Sequence, residues 1–175
     1  MFHPTVVRGD LIATPLGPML ALVDPQGALL RLDFLADEAL LAATWHSYAW
    51  QPDAAALAPV RRQLDEYFSG RRQQFDLALA PRGTAYQHLA WGHLRQVPYG
   101  VTLSYAQLAA RLPQRTSARA IGRANALNPI AIVVPCHRII GADGELTGYA
   151  GGLARKQALL ELEGVMTPAR QRSLL

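Results

Sequence analysis

The sequence contains one cysteine, Cys136, and one lysine, Lys156, among 175 residues. A lone cysteine excludes an internal disulfide and a Cys-rich zinc site, which leaves a buried hydrophobe or a reactive thiol. The scarcity of lysine leaves arginine to supply the net charge of +4. That balance fits an anionic partner, but it is also common in proteins that bind nothing charged. Long apolar runs are missing as well. Stretches such as Ile130 to Val134 are far too short to span a bilayer, and the N-terminus has neither the basic segment nor the apolar run of a secretory signal. No internal repeat or low-complexity tract occurs. These absences predict a soluble, cytoplasmic protein with no membrane partner.

What is present suffices for a core. Half of the residues are hydrophobic, and the length allows one domain or two small ones. Met19 to Val23 and Leu29 to Phe34 are apolar runs separated by the turn signal Asp24-Pro25-Gln26-Gly27, which predicts a hairpin. Leu57, Val60, Leu64 and Phe68 recur at helical spacing before Gly70. Phe75, Leu77 and Leu79 alternate with small or polar residues and predict a further strand, ended by Pro81-Arg82-Gly83.

A domain boundary is placed at that break, giving domains 1–82 and 83–175. Beyond it the pattern is helical. Thr84 with Gln87 and Ser104 with Gln107 have capping-box spacing. A helix from about Tyr105 to Arg111, a connection over 112–116, and a helix capped by Ser117 and reaching about Ala126 have helix-turn-helix spacing, over about 104–126. The same spacing also describes two ordinary packed helices. The expected fold class is therefore α+β, with a small mixed N-terminal domain followed by a mainly helical domain.

The chemistry concentrates at Asn128-Pro129-Ile130-Ala131-Ile132-Val133-Val134-Pro135-Cys136-His137-Arg138. Pro135 lacks an N–H and disfavours helical geometry at Val134, so regular structure should break beside the thiol. His137 and Arg138 provide an electropositive setting that favours the nucleophilic thiolate. An inert core cysteine fits the same residues equally well. Adjacent side chains point apart in an extended chain, so His137 would reach the sulfur through a water and would need an orienting partner. Glu163, at the end of a helix over 153–163 stopped by Gly164, is the downstream candidate, although a solvated helix-end carboxylate is the plainer reading.

Pro135-Cys136-His137-Arg138, preceded by Asn128-Pro129-Ile130 and followed by Gly148-Tyr149-Ala150-Gly151-Gly152, resembles the active-site signature of the O6-alkylguanine-DNA alkyltransferases. The resemblance runs from about Thr84 to Gly164, with Pro98-Tyr99-Gly100 and Ser104-Tyr105 in register. It extends more weakly through Thr14-Pro15-Leu16-Gly17-Pro18.

It implies direct-reversal DNA repair, in which Cys136 accepts the alkyl group irreversibly in a single turnover. His137 and Glu163 would deprotonate the thiol through a water, and Asn128 would hold the turn beside it. Tyr105 would offer its phenol to N3 of the departing base, with Lys156 in a supporting position. The alkylguanine pocket would be walled by Pro135, Ile139, Tyr149 and Ala150. The resemblance also implies a recognition helix in the minor groove, with small residues Ala118, Ala120 and Gly122 at alternate positions. Arg119 would fill the gap left by a flipped nucleotide, since a stacked base hides its O6 substituent.

The implied partner is double-stranded DNA containing O6-alkylguanine, bound by a monomer without cofactor or metal. Ala150 stands where some members have a serine that bonds O6. The lone cysteine also rules out the structural zinc of some relatives. A non-catalytic lesion-binding module is the main alternative, and a Cys-His hydrolase a weaker one.

Overall fold

A hairpin organises the first of the two units, Met1–Arg82 and Gly83–Leu175, of a computed structural model that describes residues 6–35, 42 and 46–165. The outer ends of both expected domains lie outside the described residues. Strands β2 (Met19–Val23) and β3 (Leu29–Phe34) pair antiparallel with a bulge at Leu22/Val23. The turn between them closes because Asp24 Oδ1 accepts from the Gln26 and Ala28 amides, both at 2.9 Å. Gly27 supplies a φ of 85°, a conformation that costs glycine little.

Strand β1 (Val7–Ile12) pairs antiparallel with β2, and β4 (Trp50–Pro52) lies parallel to β1, giving the order β3-β2-β1-β4. All five residues of β2 are buried, so this strand is covered on both faces. Leu20 and Leu22 join Val7, Leu30 and Tyr48 in one apolar cluster. Helix α1 (Ala58–Phe68) buries Val60, Gln63, Leu64 and Tyr67.

The strand expected at Phe75, Leu77 and Leu79 does not form; that stretch makes a single parallel bridge from Leu79 to Leu29. Gln63 explains the difference. Its side chain donates to the Asp76 carbonyl at 2.9 Å and accepts from the Asp76 amide at 2.8 Å, taking both backbone groups that a ladder would use.

In the second unit α2 (Ala85–Leu94), α3 (Tyr105–Arg111) and α4 (Ala118–Ala126) begin at side-chain caps. Thr84 and Ser104 form complete capping boxes with Gln87 and Gln107, and a cap of this kind is worth about 1 kcal/mol. Ser117 accepts from the Ala120 amide at 3.0 Å. The buried Trp91 indole ties α2 to α4 by donating to the Ala124 carbonyl at 2.9 Å. Two short parallel strands, β5 (Leu103–Ser104) and β6 (Ile139–Ile140), pair Leu103 with Ile139. Because β5 runs straight into α3 and β6 follows Cys136–Arg138, this pairing carries Tyr105 towards the cysteine turn. Helix α5 (Leu153–Leu162) ends at Glu163, followed by Gly164 at a φ of 81°. Among the described residues, no helix is long and apolar enough to cross a membrane.

Candidate active site

The apolar run before Cys136 folds as a buried turn rather than a strand. Ile132 takes a φ of 69°, a left-handed conformation uncommon for a β-branched residue, and the Val134 amide reaches back to the Ile130 carbonyl at 3.0 Å. Asn128 stitches this turn from within. Its Nδ2 donates to the carbonyls of Val134 and Ile130 at 2.8 and 3.3 Å, while its Oδ1 accepts from the Ile130 amide at 3.0 Å. Pro135 then caps a short 3-10 turn, Cys136–Arg138. Cys136 is buried. Burial pushes its thiol pKa up, opposed by the Asn128 hydrogen bond and the Lys156 charge. Left alone, such a thiol stays protonated and needs a base.

The adjacent side chain belongs to a buried triad. His137 is 0% exposed and Glu163 4%, and His137 Nε2 lies 2.6 Å from Glu163 Oε2. Arg138 donates to the same carboxylate through Nε at 2.6 Å and Nη2 at 3.3 Å, and to the Val97 carbonyl at 2.7 Å. Burial would raise the Glu163 pKa, but the His137 and Arg138 contacts outweigh it and hold Glu163 at about 2. Burial lowers the His137 pKa, against the pull of Glu163. The triad at neutral pH is therefore a carboxylate and a guanidinium beside a neutral imidazole. With Nε2 donating to the carboxylate, the lone pair sits on Nδ1, which is buried and, among the described residues, has no hydrogen-bond partner.

Cys136 opens onto a cleft of about 310 Å³, lined also by Tyr105, Gly122, Asn125, Ala126, Gly148, Tyr149 and Ala150. This is at the small end of the roughly 300–1,000 Å³ typical of ligand pockets. Tyr149 and Ala150 stand in its wall. Pro135 and Ile139 do not: Pro135 caps the turn, and Ile139, fully buried, is held in β6 against Leu103. Asn125 and Ala126 line the cleft without having been assigned to the site in the sequence, as does Gly148, which was read only as the first residue of the downstream motif. The signal for the first two was their spacing from Gly122, three and four residues on, which puts all three on one helix face.

The loop over 147–150 is anchored by Lys156. Its buried ammonium donates to the carbonyls of Ile139 at 2.6 Å, Thr147 at 2.7 Å and Gly148 at 3.3 Å, and burial lowers its pKa to about 8. Tyr105, half-buried, donates its hydroxyl to the Thr147 carbonyl at 3.3 Å and accepts from Thr147 Oγ1 at 3.0 Å.

Helix α4 buries Ile121, Ala124 and Asn125. At about 100° per residue, Ala118, Gly122 and Ala126 share its outward face, flanked by the exposed Arg119 and Arg123. Ala120 turns away from them. The alternate spacing of Ala118, Ala120 and Gly122 therefore does not describe one face, because a period of two belongs to strands. Among the described residues, no group of three or more His, Cys, Asp or Glu side chains is placed to hold a metal ion.

Residues 85–165 match the family model described as 6-O-methylguanine DNA methyltransferase, DNA binding domain, and residues 7–81 match its ribonuclease-like domain. A methylated-DNA–protein-cysteine methyltransferase of Methanosarcina barkeri is 44% identical over 154 residues, covering 88% of this chain and 95% of that protein. A protein of the same name from Mycobacterium tuberculosis is 51% identical over 120 residues, 69% of this chain and 73% of its own. The crystal structure of the M. tuberculosis O6-methylguanine methyltransferase superposes with a TM-score of 0.80 at 40% identity, covering 97% of this chain and 99% of that one. A structure of M. tuberculosis OGT in complex with DNA gives 0.80 at 42% identity, with 95% and 97% covered.

Proposed function

Because the chain belongs to the 6-O-methylguanine DNA methyltransferase family, we propose that it is a DNA repair methyltransferase whose acceptor is its own Cys136. The observation that carries this reading is that the chain's one thiol is followed directly in sequence by a buried, neutral histidine whose Nε2 is held by Glu163. The substrate is O6-alkylguanine in duplex DNA. The protein acts in the cytoplasm as a monomer, with residues 83–175 binding DNA and carrying out transfer and residues 1–82 serving as scaffold.

On binding, α4 enters the minor groove, where the small outward residues Ala118, Gly122 and Ala126 permit close approach. Arg119 fills the gap left when the damaged nucleotide flips, and the base enters the cleft beside Cys136. Unstacking costs on the order of a few kcal/mol, offset by contacts in the cleft. His137 Nδ1 then takes the thiol proton through a water, leaving an imidazolium that the Glu163 carboxylate stabilises. The thiolate attacks the alkyl carbon, forming a C–S bond as the C–O6 bond breaks with its electron pair on the base. Tyr105, exchanging its bond to the Thr147 carbonyl for one to N3, supports that developing charge, and the base ends with one proton, the equivalent of the one the thiol gave up, in place of its alkyl group. Lys156 and Asn128 position rather than react: one holds the 147–150 loop, the other the turn before the nucleophile.

Intact-mass measurement after mixing with an O6-methylguanine duplex tests this. The expected change is the gain of one CH2 unit, on the peptide that contains Cys136. Unchanged mass with retained lesion binding would support a lesion-binding module instead, and sustained ester turnover would support a hydrolase.

A further inference from the structure

The chain just before the nucleophile bends through two γ-turns of opposite hand. At Pro135 φ is −82° and ψ 63°, and the Cys136 amide donates to the Val134 carbonyl at 2.8 Å, which is the relaxed, inverse form. At Ile132 φ is 69°, and the Val133 amide donates to the Ala131 carbonyl at 2.8 Å. A three-residue bond closed around a positive φ is the other form, which is rare and strained. Glycine takes a positive φ freely, and this chain uses it so at Gly27 and Gly164. At 132 it places a β-branched residue, among the least suited to that conformation.

Strain of this kind persists only where the surroundings over-determine the backbone, and it collects at functional sites. Here the surroundings are specific. Ile132 is 1% exposed, so its side chain is locked into the core. Asn128 Nδ2 donates to the carbonyls of Ile130 and Val134, one on either side of the strained turn. The Val134 carbonyl is also the one that closes the second turn on Cys136. Reversing the sign of φ at Ile132 would preserve its three-residue bond but lead the chain out in the mirror direction, and the Asn128 bonds that span the turn could not all be kept. On the reading of Cys136 as the alkyl acceptor, we infer that Ile132 is a positioning residue for the transfer: its buried side chain keeps the turn in the strained hand, and that hand aims the thiol. Displacement at the alkyl carbon forms the C–S bond in line with the breaking C–O6 bond. The direction of the sulfur therefore counts, and a misplacement of about 1 Å can cost on the order of 100-fold.

The test compares Ile132→Ala with Ile132→Gly, two truncations that differ by one methyl group and in the hand they tolerate. At an ordinary buried position alanine is the better replacement. Here the positive φ should favour glycine by roughly five- to thirtyfold in the folding equilibrium constant, of which its freer unfolded chain takes back about two- to fivefold. In urea unfolding Ile132→Gly should therefore be at least as stable as Ile132→Ala. Single-turnover transfer is measured with a saturating O6-methylguanine duplex, in sucrose so that both variants are folded. Ile132→Ala should transfer about tenfold slower or more than Ile132→Gly, with equal duplex affinity. A side chain that only fills the core would give the opposite order of stability and equal rates in the folded proteins, and either result would overturn the inference. If neither variant folds, Ile132→Met and Ile132→Val are compared in the same way. The unbranched methionine tolerates the positive φ better, so it should transfer faster although valine is nearer in shape; equal or reversed rates would overturn the inference. A wild-type protein that transfers nothing fails the acceptor reading, and this inference with it.

Discussion

Replacing Glu163 by Gln should cost both stability and rate. The carboxylate accepts from His137 through Oε2 and from Arg138 through both oxygens. An amide in its place turns one acceptor into a donor, so at least one of these contacts becomes donor against donor, and Arg138 loses the carboxylate it pairs with. Holding Glu163 at about 2 against an ordinary 4.5 corresponds to ~3 kcal/mol of stabilisation of the folded state. That agrees with the roughly 3–5 kcal/mol cost of removing one partner of a buried ion pair.

At about 4–8 °C per kcal/mol for a unit of this size, Tm should fall by ~12 °C or more. The rate should fall further than packing alone predicts. A glutamine NH2 facing His137 Nε2 would make that nitrogen the acceptor and move the ring proton to Nδ1, the atom that must take the thiol proton. Loss of a general base costs about 10²- to 10⁴-fold. Thermal unfolding and single-turnover transfer, the latter measured where both proteins are folded, check the two effects separately. The folded pKa lies below the unfolded one, so the wild-type contribution is present above about pH 4.5 and is lost as pH falls towards about 2. The variant should lack that acid-side loss. A variant that melts with wild type and transfers at its rate would refute this account of Glu163.

Arg119→Ala should weaken repair of duplex DNA more than reaction with free O6-alkylguanine base, because only the duplex leaves a gap to fill; equal losses would remove that role. Because burial lowers the His137 pKa below its ordinary 6.5, the imidazole stays able to accept a proton as pH falls. Single-turnover rates should therefore hold through pH 6.5 and drop only below it, and an acid limb centred above 6.5 would contradict a neutral, buried His137. Lesion affinity should fall as salt rises, since phosphate contacts release counterions; a binding titration that is flat in salt would exclude the proposed DNA face.

Local chemistry explains which parts of the fold could be read in the sequence. The capped helix starts at Thr84, Ser104 and Ser117, and the hairpin turn at Asp24, depend on neighbours within a few residues. Strand β1 depends on a distant partner. Gly9 interrupts its apolar pattern, and a Cβ there would lie 2.5 Å from the Trp50 ring, so the glycine makes sense only once β4 is paired alongside. The segment after Phe75 has a strand's alternation but loses its ladder to Gln63, a competition that alternation does not encode.

The site divides in the same way. Cys136 and His137 are neighbours in sequence, whereas Arg138 was read only as local positive charge, because its ion pair with Glu163 spans 25 residues. Ile139 was expected in the pocket wall by its position in the signature, but backbone pairing decides which way it faces. Asn125 was legible only through its spacing from Gly122, and its place in the cleft wall is defined by the fold.

The central claim, transfer to Cys136 without regeneration, has a direct measure. A known amount of active protein is mixed with excess duplex carrying labelled O6-methylguanine, and label transfer is followed to completion. Attack on the methyl carbon leaves a thioether, which has no carbonyl for water to attack, so no ordinary hydrolytic step frees the thiol. A burst that plateaus at one methyl group per active protein, with the label on the Cys136 peptide, is the predicted result. Repair that continues past equivalence, or steady release of methanol, would contradict it.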